Sequence, residues 1–345
     1  MAAYDWFFDA VGLRAWCDAD AVDTPMSMAE LLATTRGGDA ANAEEGGFLF
    51  PSLDVLHGAC PAIGQTRDLT AFLEEGFLAA RDELRIVLDP ITQPLSWMLD
   101  GALALFQATP WWLMIPILLF AAWFASRSRP VTAFVAAVLI FFAAIDHYDV
   151  AMQTLAIVFV CTSLSVAIGV PIGIGMSRSD LAQRLIVPIL DLLQTLPTFV
   201  YLIPLIFLFS VTESKLYGIA IILYAIVPVI RLTDLGIRLV DRDVIEAADA
   251  FGMTKRQKLW QVQLPLALPN IMAGVNQTIM MSLAMVVIAS LVSAPGLGVL
   301  VLRGIRNLEL GVGIVAGIGI VLLAVILDRV SKAALSRVDK QGKAR

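Results

Sequence analysis

The sequence predicts an all-α membrane protein with about seven transmembrane helices. Three observations lead there. Hydrophobic residues make up 59% of the 345, and the mean hydropathy is +0.81. Several apolar runs approach the roughly 20 residues that a helix needs to cross a bilayer. The charge is also unevenly placed: residues 1–109 hold 17 acids and 5 bases, whereas residues 110–345 hold 13 acids and 19 bases. An acidic, water-facing arm therefore precedes a basic, lipid-embedded body.

Apolar length places the spans near 110–125, 131–146, 150–176, 185–210, 216–231, 270–294 and 310–328. The second, VTAFVAAVLIFFAAI, is short and is joined to the third by DHYD alone. Cytoplasmic loops carry an excess of lysine and arginine. With the amino terminus outside, sixteen bases fall on the cytoplasmic side, and Lys215, Arg303 and Arg306 fall in short outer loops. The expected topology is amino terminus out and carboxyl terminus in.

The expected organisation is an acidic extracytoplasmic region over 1–109 ending in an interfacial amphipathic segment, then two accessory spans over 110–146. A membrane-embedded core follows over 150–330, with a cytoplasmic loop over 232–269, and a basic cytoplasmic tail over 331–345. The opening MAAYDWFFDAVG has acids where a secretory signal carries positive charge. ITQPLSWMLDGALALF is expected along the headgroups, with Trp97, Trp111 and Trp112 as anchors. Cys17, Cys60 and Cys161 are far apart in the chain and suggest neither a metal site nor a disulfide framework. His57 and His147 are isolated. No nucleic-acid partner is indicated.

The most polar stretch within the body is EAADAFGMTKRQKLWQVQLPLALP, residues 246–269. Asp243 with Glu246 has capping-box spacing, which predicts a helix starting near Val244 and ending at Gly252. Thr254 with Gln257 makes a second box, T-x-x-Q, starting a helix that Pro265 is expected to break. The product is helix, glycine turn, helix. Ala247, Ala248 and Ala250 leave the first helix a low-profile surface. Read from these residues alone, the loop is either an interfacial hairpin with snorkelling lysines and Trp260 at the headgroups, or a plug for another protein.

The spacing E-A-A, three residues, G, nine residues, V-x-L-P resembles the EAA loop of ABC importer permeases, with Val262 where that family commonly has isoleucine. Glu246, Ala247, Ala248, Gly252, Leu264 and Pro265 are the matching positions. The stretches LDLLQTLPTFVYLIPLIFLF (190–209), LPLALPNIMAGVNQTIMMSLAMVVIASLV (264–292) and GLGVLVLRGI (296–305) resemble permeases that carry glycine betaine, proline betaine and related quaternary amines. The resemblance implies a type I ABC importer permease core and a coupling role for the loop in a cleft of a cytoplasmic ATPase. It also implies a second permease copy and an external solute-binding protein. A Walker A string, G-x-x-x-x-G-K-[ST], does not occur, so ATP and Mg are expected on partner ATPase subunits, and the chain is expected to be no enzyme.

On the 185–210 span, Gln194, Pro197 and Tyr201 recur at helical spacing and, with Thr195, are candidates to line a path; interhelical packing and a kink are the competing role. Asp191 on an apolar span should face protein or water. Phe199, Tyr201 and Tyr224 suit either transient cation–π contact with a quaternary ammonium or plain packing. Asn276, Gln277, Thr278 and Ser282, with the small Ala273 and Gly274, read as bundle core. Pro295, Gly296 and Gly298 end that span, and Arg303 and Arg306 on the following amphipathic element suit acids on a binding protein or lipid phosphates. Within the importer class the alternatives are choline, carnitine, a sulfonium analogue or an amino acid. An ion-coupled secondary transporter would need paired broken helices, and no second QTLPTF pattern occurs. A receptor or channel leaves the polar loop without a role.

Overall fold

The computed structural model describes residues 5–13, 60 and 66–343. Cys17 and His57 lie outside the described residues. The chain divides into two compact units, Met1–Asp82 and Glu83–Arg345. The described part of the first holds α1 (Asp5–Val11) and the opening turns of α2 (Thr66–Ala108). Cys60 is buried and disulfide-bonded, against the sequence expectation. Separation along the chain carries no information about proximity in space.

The second unit continues with α3 (Trp111–Ser126), α4 (Arg129–Ala144), α5 (Tyr148–Arg178) and α6 (Asp180–Thr195). A short α7 (Leu202–Leu208) precedes α8 (Ser214–Arg238) and α9 (Arg242–Ala250). The turn of α10 (Lys255–Lys258) runs through a π-helical turn, Leu259–Gln263, into α11 (Leu264–Ala289). After α12 (Leu297–Arg306), α13 (Leu310–Lys343) closes the described chain. Every regular element among the described residues is helical.

Among the described residues four helices are long and apolar enough to span a membrane: α5, α8, the run Lys255–Val292 and Leu310–Ala334 of α13. A fifth arises if α2 and α3, bent by 115°, count together. The expected seven is thus not reached. Helices α3 and α4 have 16 residues each, about 24 Å at ~1.5 Å per residue, short of a hydrocarbon core about 30 Å thick.

The expected span 185–210 is broken in two. Leu196, before Pro197, is extended at φ −64°, ψ 132°, because the proline ring disfavours helical geometry in the residue ahead of it. Pro265 does the opposite of what was expected: the helix runs through it. The π turn closes with the Leu264 N–H donating to the Leu259 carbonyl, and Pro265 falls in the first turn of the α-helix that follows.

Helix α8 sits against both α5 and α11, and glycines set those distances. Gly169 and Gly173, one small-xxx-small pair on α5, face Val229, Ile230 and Thr233 of α8. Gly274 of α11 lies under the Val229 backbone, and Gly236 of α8 meets Asn270 of α11. With apolar lipid around the bundle, close van der Waals approach rather than water exclusion holds such helices together. A second cluster joins α3, α4 and α13 through Leu139, Phe142 and Leu323.

Polar side chains lock the edges. Thr162 donates to Ser282 at 3.1 Å between α5 and α11. Asn276 of α11 donates to Asp328 of α13 at 3.1 Å and accepts from Ser331 at 2.5 Å. The Leu297 N–H donates to Thr154 Oγ at 2.9 Å, and a Cβ on Gly296 (φ +118°) would fall 2.3 Å from that oxygen. Lys215, expected in an outer loop, is 2% exposed in the first turn of α8. Its Nζ lies 2.7 Å from both Asp89 of α2 and Glu213 and 5.0 Å from the Phe209 ring centroid.

Gly173→Leu should destabilise the bundle, because its Cβ alone would stand 2.7 Å from the Ile230 carbonyl oxygen. The expected cost is at least the roughly 1–3 kcal/mol of core overpacking. Gly175→Leu, with nothing within 4 Å of its Cβ, should leave the thermal unfolding midpoint of the solubilised protein near wild type, and Gly173→Leu should lower it.

Candidate functional site

The polar loop leaves α8 at Arg238, and Val240 is buried at its root. The first loop helix, α9, is capped by Asp241, whose carboxylate accepts from the Asp243 N–H at 3.0 Å. The cap therefore lies two residues before the expected Asp243. Either aspartate can serve a helix start, and Arg242 and Asp243 are themselves helical. Glu246 is exposed near the start of the helix, where the dipole favours an acid. Ala247 and Ala250 are exposed, and Ala248 is buried.

The first helix ends as predicted at Gly252, with φ +72°. The Met253 N–H donates to the Ala248 carbonyl at 3.1 Å and the Gly252 N–H to the Asp249 carbonyl at 2.9 Å. These two bonds are a Schellman motif, which needs a left-handed residue at Gly252. Thr254 and Gln257 form the predicted capping box: Thr254 Oγ accepts from the Gln257 N–H at 3.3 Å, and Gln257 Oε1 accepts from the Thr254 N–H at 2.9 Å.

Two ties missed in the sequence complete the knob. Lys258 Nζ reaches both carboxylate oxygens of Asp249, at 2.7 and 2.8 Å, clamping the second helix to the first across the glycine. Nine residues apart, the pair has no local spacing signature. Leu259 is buried among Ile237, Ala267 and Ile271, which seats the hairpin on α8 and α11. Leu264 is half-buried and Pro265 exposed. Opposite the seat, the knob presents Glu246, Ala247, Ala250 and Phe251, the last 86% exposed.

The other predicted residues are not all brought together. Gln194, Thr195 and Pro197 are exposed around the break after α6. Because the helix stops at Thr195, the proposed common face with Tyr201 does not exist. Tyr201 caps the start of α7, and its hydroxyl donates to Met285 Sδ at 3.8 Å. Asp191 is ion-paired with Arg231 of α8, so the acid on the apolar segment faces protein. Phe199 is exposed and Tyr224 half-buried.

Arg303 pairs with Glu309 at 3.0 Å in the elbow between α12 and α13. Asn307 first, and Arg303 after it, hold the Glu309 carboxyl below its ordinary value. Arg306 is exposed and has no ion pair among the described residues.

Residues 165–340 match the family of binding-protein-dependent transport system inner membrane components. The chain belongs to that family. It is the permease component of an ABC importer, a transport protein and not an enzyme. It is 42% identical over 266 residues to the glycine betaine/proline betaine transport system permease protein ProW of Escherichia coli (strain K12), covering 77% of this chain and 74% of the relative. It is 42% identical to the glycine betaine transport system permease protein OpuAB of Bacillus subtilis (strain 168), over 74% and 90% of the two chains. It is 40% identical to the glycine betaine/carnitine transport permease protein GbuB of Listeria monocytogenes, over 70% and 87%. The matched segment of the permease starts inside α5 and takes in both the broken α6–α7 pair and the knob.

Gly252→Ala should cost the knob about 1–2 kcal/mol, the price of a left-handed side-chain-bearing residue, with no clash, since nothing lies within 4 Å of its Cβ. Thr254→Ala should cost about 0.5–2 kcal/mol through the lost cap. Hydrogen exchange at the amides of 250–258 should speed up in both variants and stay unchanged in α5.

Proposed function

We propose that this permease carries glycine betaine or a related quaternary-amine compatible solute, and that the knob over 246–265 is where a cytoplasmic ATPase pair drives it. The carrying observation is the shape of the loop. Two capped helices held by a Schellman turn and an ion pair present Glu246 and Ala247 on a stiff, exposed surface. A part that transmits force to a separate protein needs both stiffness and exposure. The substrate class is supported by the solutes named for the Escherichia, Bacillus and Listeria relatives.

In this reading Glu246, Ala247, Ala248, Gly252, Leu264 and Pro265 form the coupling element. Gln194, Thr195, Pro197 and Tyr201 flank the path at the break between α6 and α7. Of the two outer arginines, Arg306 is the freer to meet an acid on a solute-binding protein, since Arg303 is engaged by Glu309. The working unit pairs two permease copies with the ATPases and the binding protein. The amino-terminal region over 1–109 lies outside the membrane and the carboxyl terminus inside; the disulfide at Cys60 supports this, because such bonds persist in oxidising compartments. The segments 110–146, 150–330 and 331–345 act as accessory helices, transport core with its loop at 232–269, and basic tail.

Glu246→Lys should leave membrane insertion intact and abolish uptake of labelled glycine betaine by cells expressing the permease with its ATPase and binding protein. In the wild type, unlabelled proline betaine should compete with that uptake and an uncharged sugar should not. Wild-type uptake by the Glu246→Lys cells counts against the coupling element, and competition by the sugar counts against the substrate class.

A further inference from the structure

A knob that receives force must pass it on, and the polar contacts at the end of α8 show where it goes. Arg238 is in the last turn of α8, with Leu239, Val240 and Asp241 alone before α9. Its guanidinium reaches two other helices. Nη1 lies 2.9 Å from Asp180 in the first turn of α6, and Nη2 donates to the Met176 carbonyl at the end of α5 at 2.9 Å. Nε lies 2.9 Å from Asp234, one turn back on α8 itself.

The same carboxylate makes a second link. The other oxygen of Asp234 accepts from Gln183 Nε2 of α6 at 2.8 Å. Further along, Arg231 of α8 pairs with Asp191 of α6. Residues 231, 234 and 238 share one face of α8, and residues 180, 183 and 191 share one face of α6. Three polar links thus strap α6 lengthwise to α8. Beyond the strap, α6 ends at Thr195 and the chain is non-helical up to α7. Absence of a continuous helix there makes 196–201 the place where a rocking α6 is taken up.

We infer that Arg238 is a positioning residue for transport: with Asp180, Asp234 and Gln183 it ties α6 to the root of the knob, so that a push on α9 swings α6 and opens the break at Pro197. Among the described residues no side-chain hydrogen bond or ion pair joins the knob to α6, and its bond to α5, Arg178 Nη2 to the Lys255 carbonyl, is long at 3.4 Å. The strap is therefore the polar route from loop to path. A role in fold stability explains it less well. The ion pair by which Arg238 crosses to α6 is the exposed one: the Asp180 side chain is 78% exposed, and an ion pair so open to water adds little to stability, whereas the buried Asp234 pairs with Arg238 within α8 itself. The hold on α5 and α11 comes from the buried glycine contacts instead.

This inference rests on the coupling reading of the loop, and the test keeps the two apart. Permease, ATPase and binding protein would be reconstituted in vesicles with Arg238→Gln, Arg238→Lys, Asp180→Asn or Glu246→Lys. Labelled glycine betaine uptake and ATP hydrolysis are measured in the same vesicles. For Arg238→Gln and Asp180→Asn, uptake should fall about tenfold, a coupling loss of ordinary size, while ATP hydrolysis stays close to wild type. More ATP is then spent per solute, and Arg238→Lys should recover part of the ratio. Uptake and hydrolysis falling in step, or uptake unchanged, overturns the strap. Asp180→Asn, on its exposed side chain, decides the matter if Arg238→Gln fails to assemble. Glu246→Lys with wild-type uptake overturns the coupling reading itself, whereas loss of uptake there combined with unaltered strap variants overturns the strap alone.

Discussion

The structure depends on how near α8 comes to α5 and α11. Neighbouring helices close directly onto the backbone of Gly169, Gly173, Gly236 and Gly274, where a Cβ would meet its nearest neighbour at 2.5–3.0 Å. In lipid there is little hydrophobic gain from pressing one apolar helix on another, so dispersion across a close interface carries the association. That requirement fixes α8 as the axis of the unit. It places Arg231, Asp234 and Arg238 at one end of the axis, Lys215 at the other, and hangs the polar loop from its last turn.

Size outranks hydrogen bonding in this interface. Thr233 stands directly over Gly173, and its hydroxyl, like those of Ser165 and Thr278, is buried without a partner among the described residues. An unmet buried hydroxyl costs about 1–3 kcal/mol, a loss that a small side chain recoups where it lets helices close up. Other polar groups pair: Asn276, midway along α11, with Asp328 and Ser331, and near the ends of α8 Arg238 with Asp180 and Lys215 with Asp89 and Glu213.

The sequence made the loop legible because its determinants are local. Capping boxes and a left-handed glycine act within four or five residues, so Gly252 and the Thr254–Gln257 box appear where their spacing placed them. The permease class was legible for a similar reason, since its motif is a fixed spacing in one segment. Prolines were read less well. Pro197 breaks its helix and Pro265 does not, because the outcome turns on whether the turn ahead can widen, as the π turn at Leu259–Gln263 does. Long-range pairs left no trace at all. Nothing along the chain marks Lys215 as buried against a carboxylate 126 residues away, or Arg238 as the partner of Asp180. The glycine pair at 169 and 173 does carry a signal, small-xxx-small, inside an apolar run that defines the span without it.

Stiffness explains why the loop needs so many fastenings for so few residues. A helix of nine residues and another of four are too short to hold their shape alone, since isolated helices below ~12–15 residues are marginal in water. Here each helix start is capped, the glycine turn satisfies two carbonyls, Lys258 grips Asp249, and Leu259 roots the hairpin between α8 and α11. A load applied at Glu246 or Phe251 then displaces the hairpin as one body instead of unwinding it. The root of that body is the last turn of α8, which the close glycine packing above holds against α5 and α11. On the proposed coupling role, motion delivered to the loop leaves by what is joined to the end of α8, and among the described residues Arg238 joins that end to α6, with a non-helical stretch behind it.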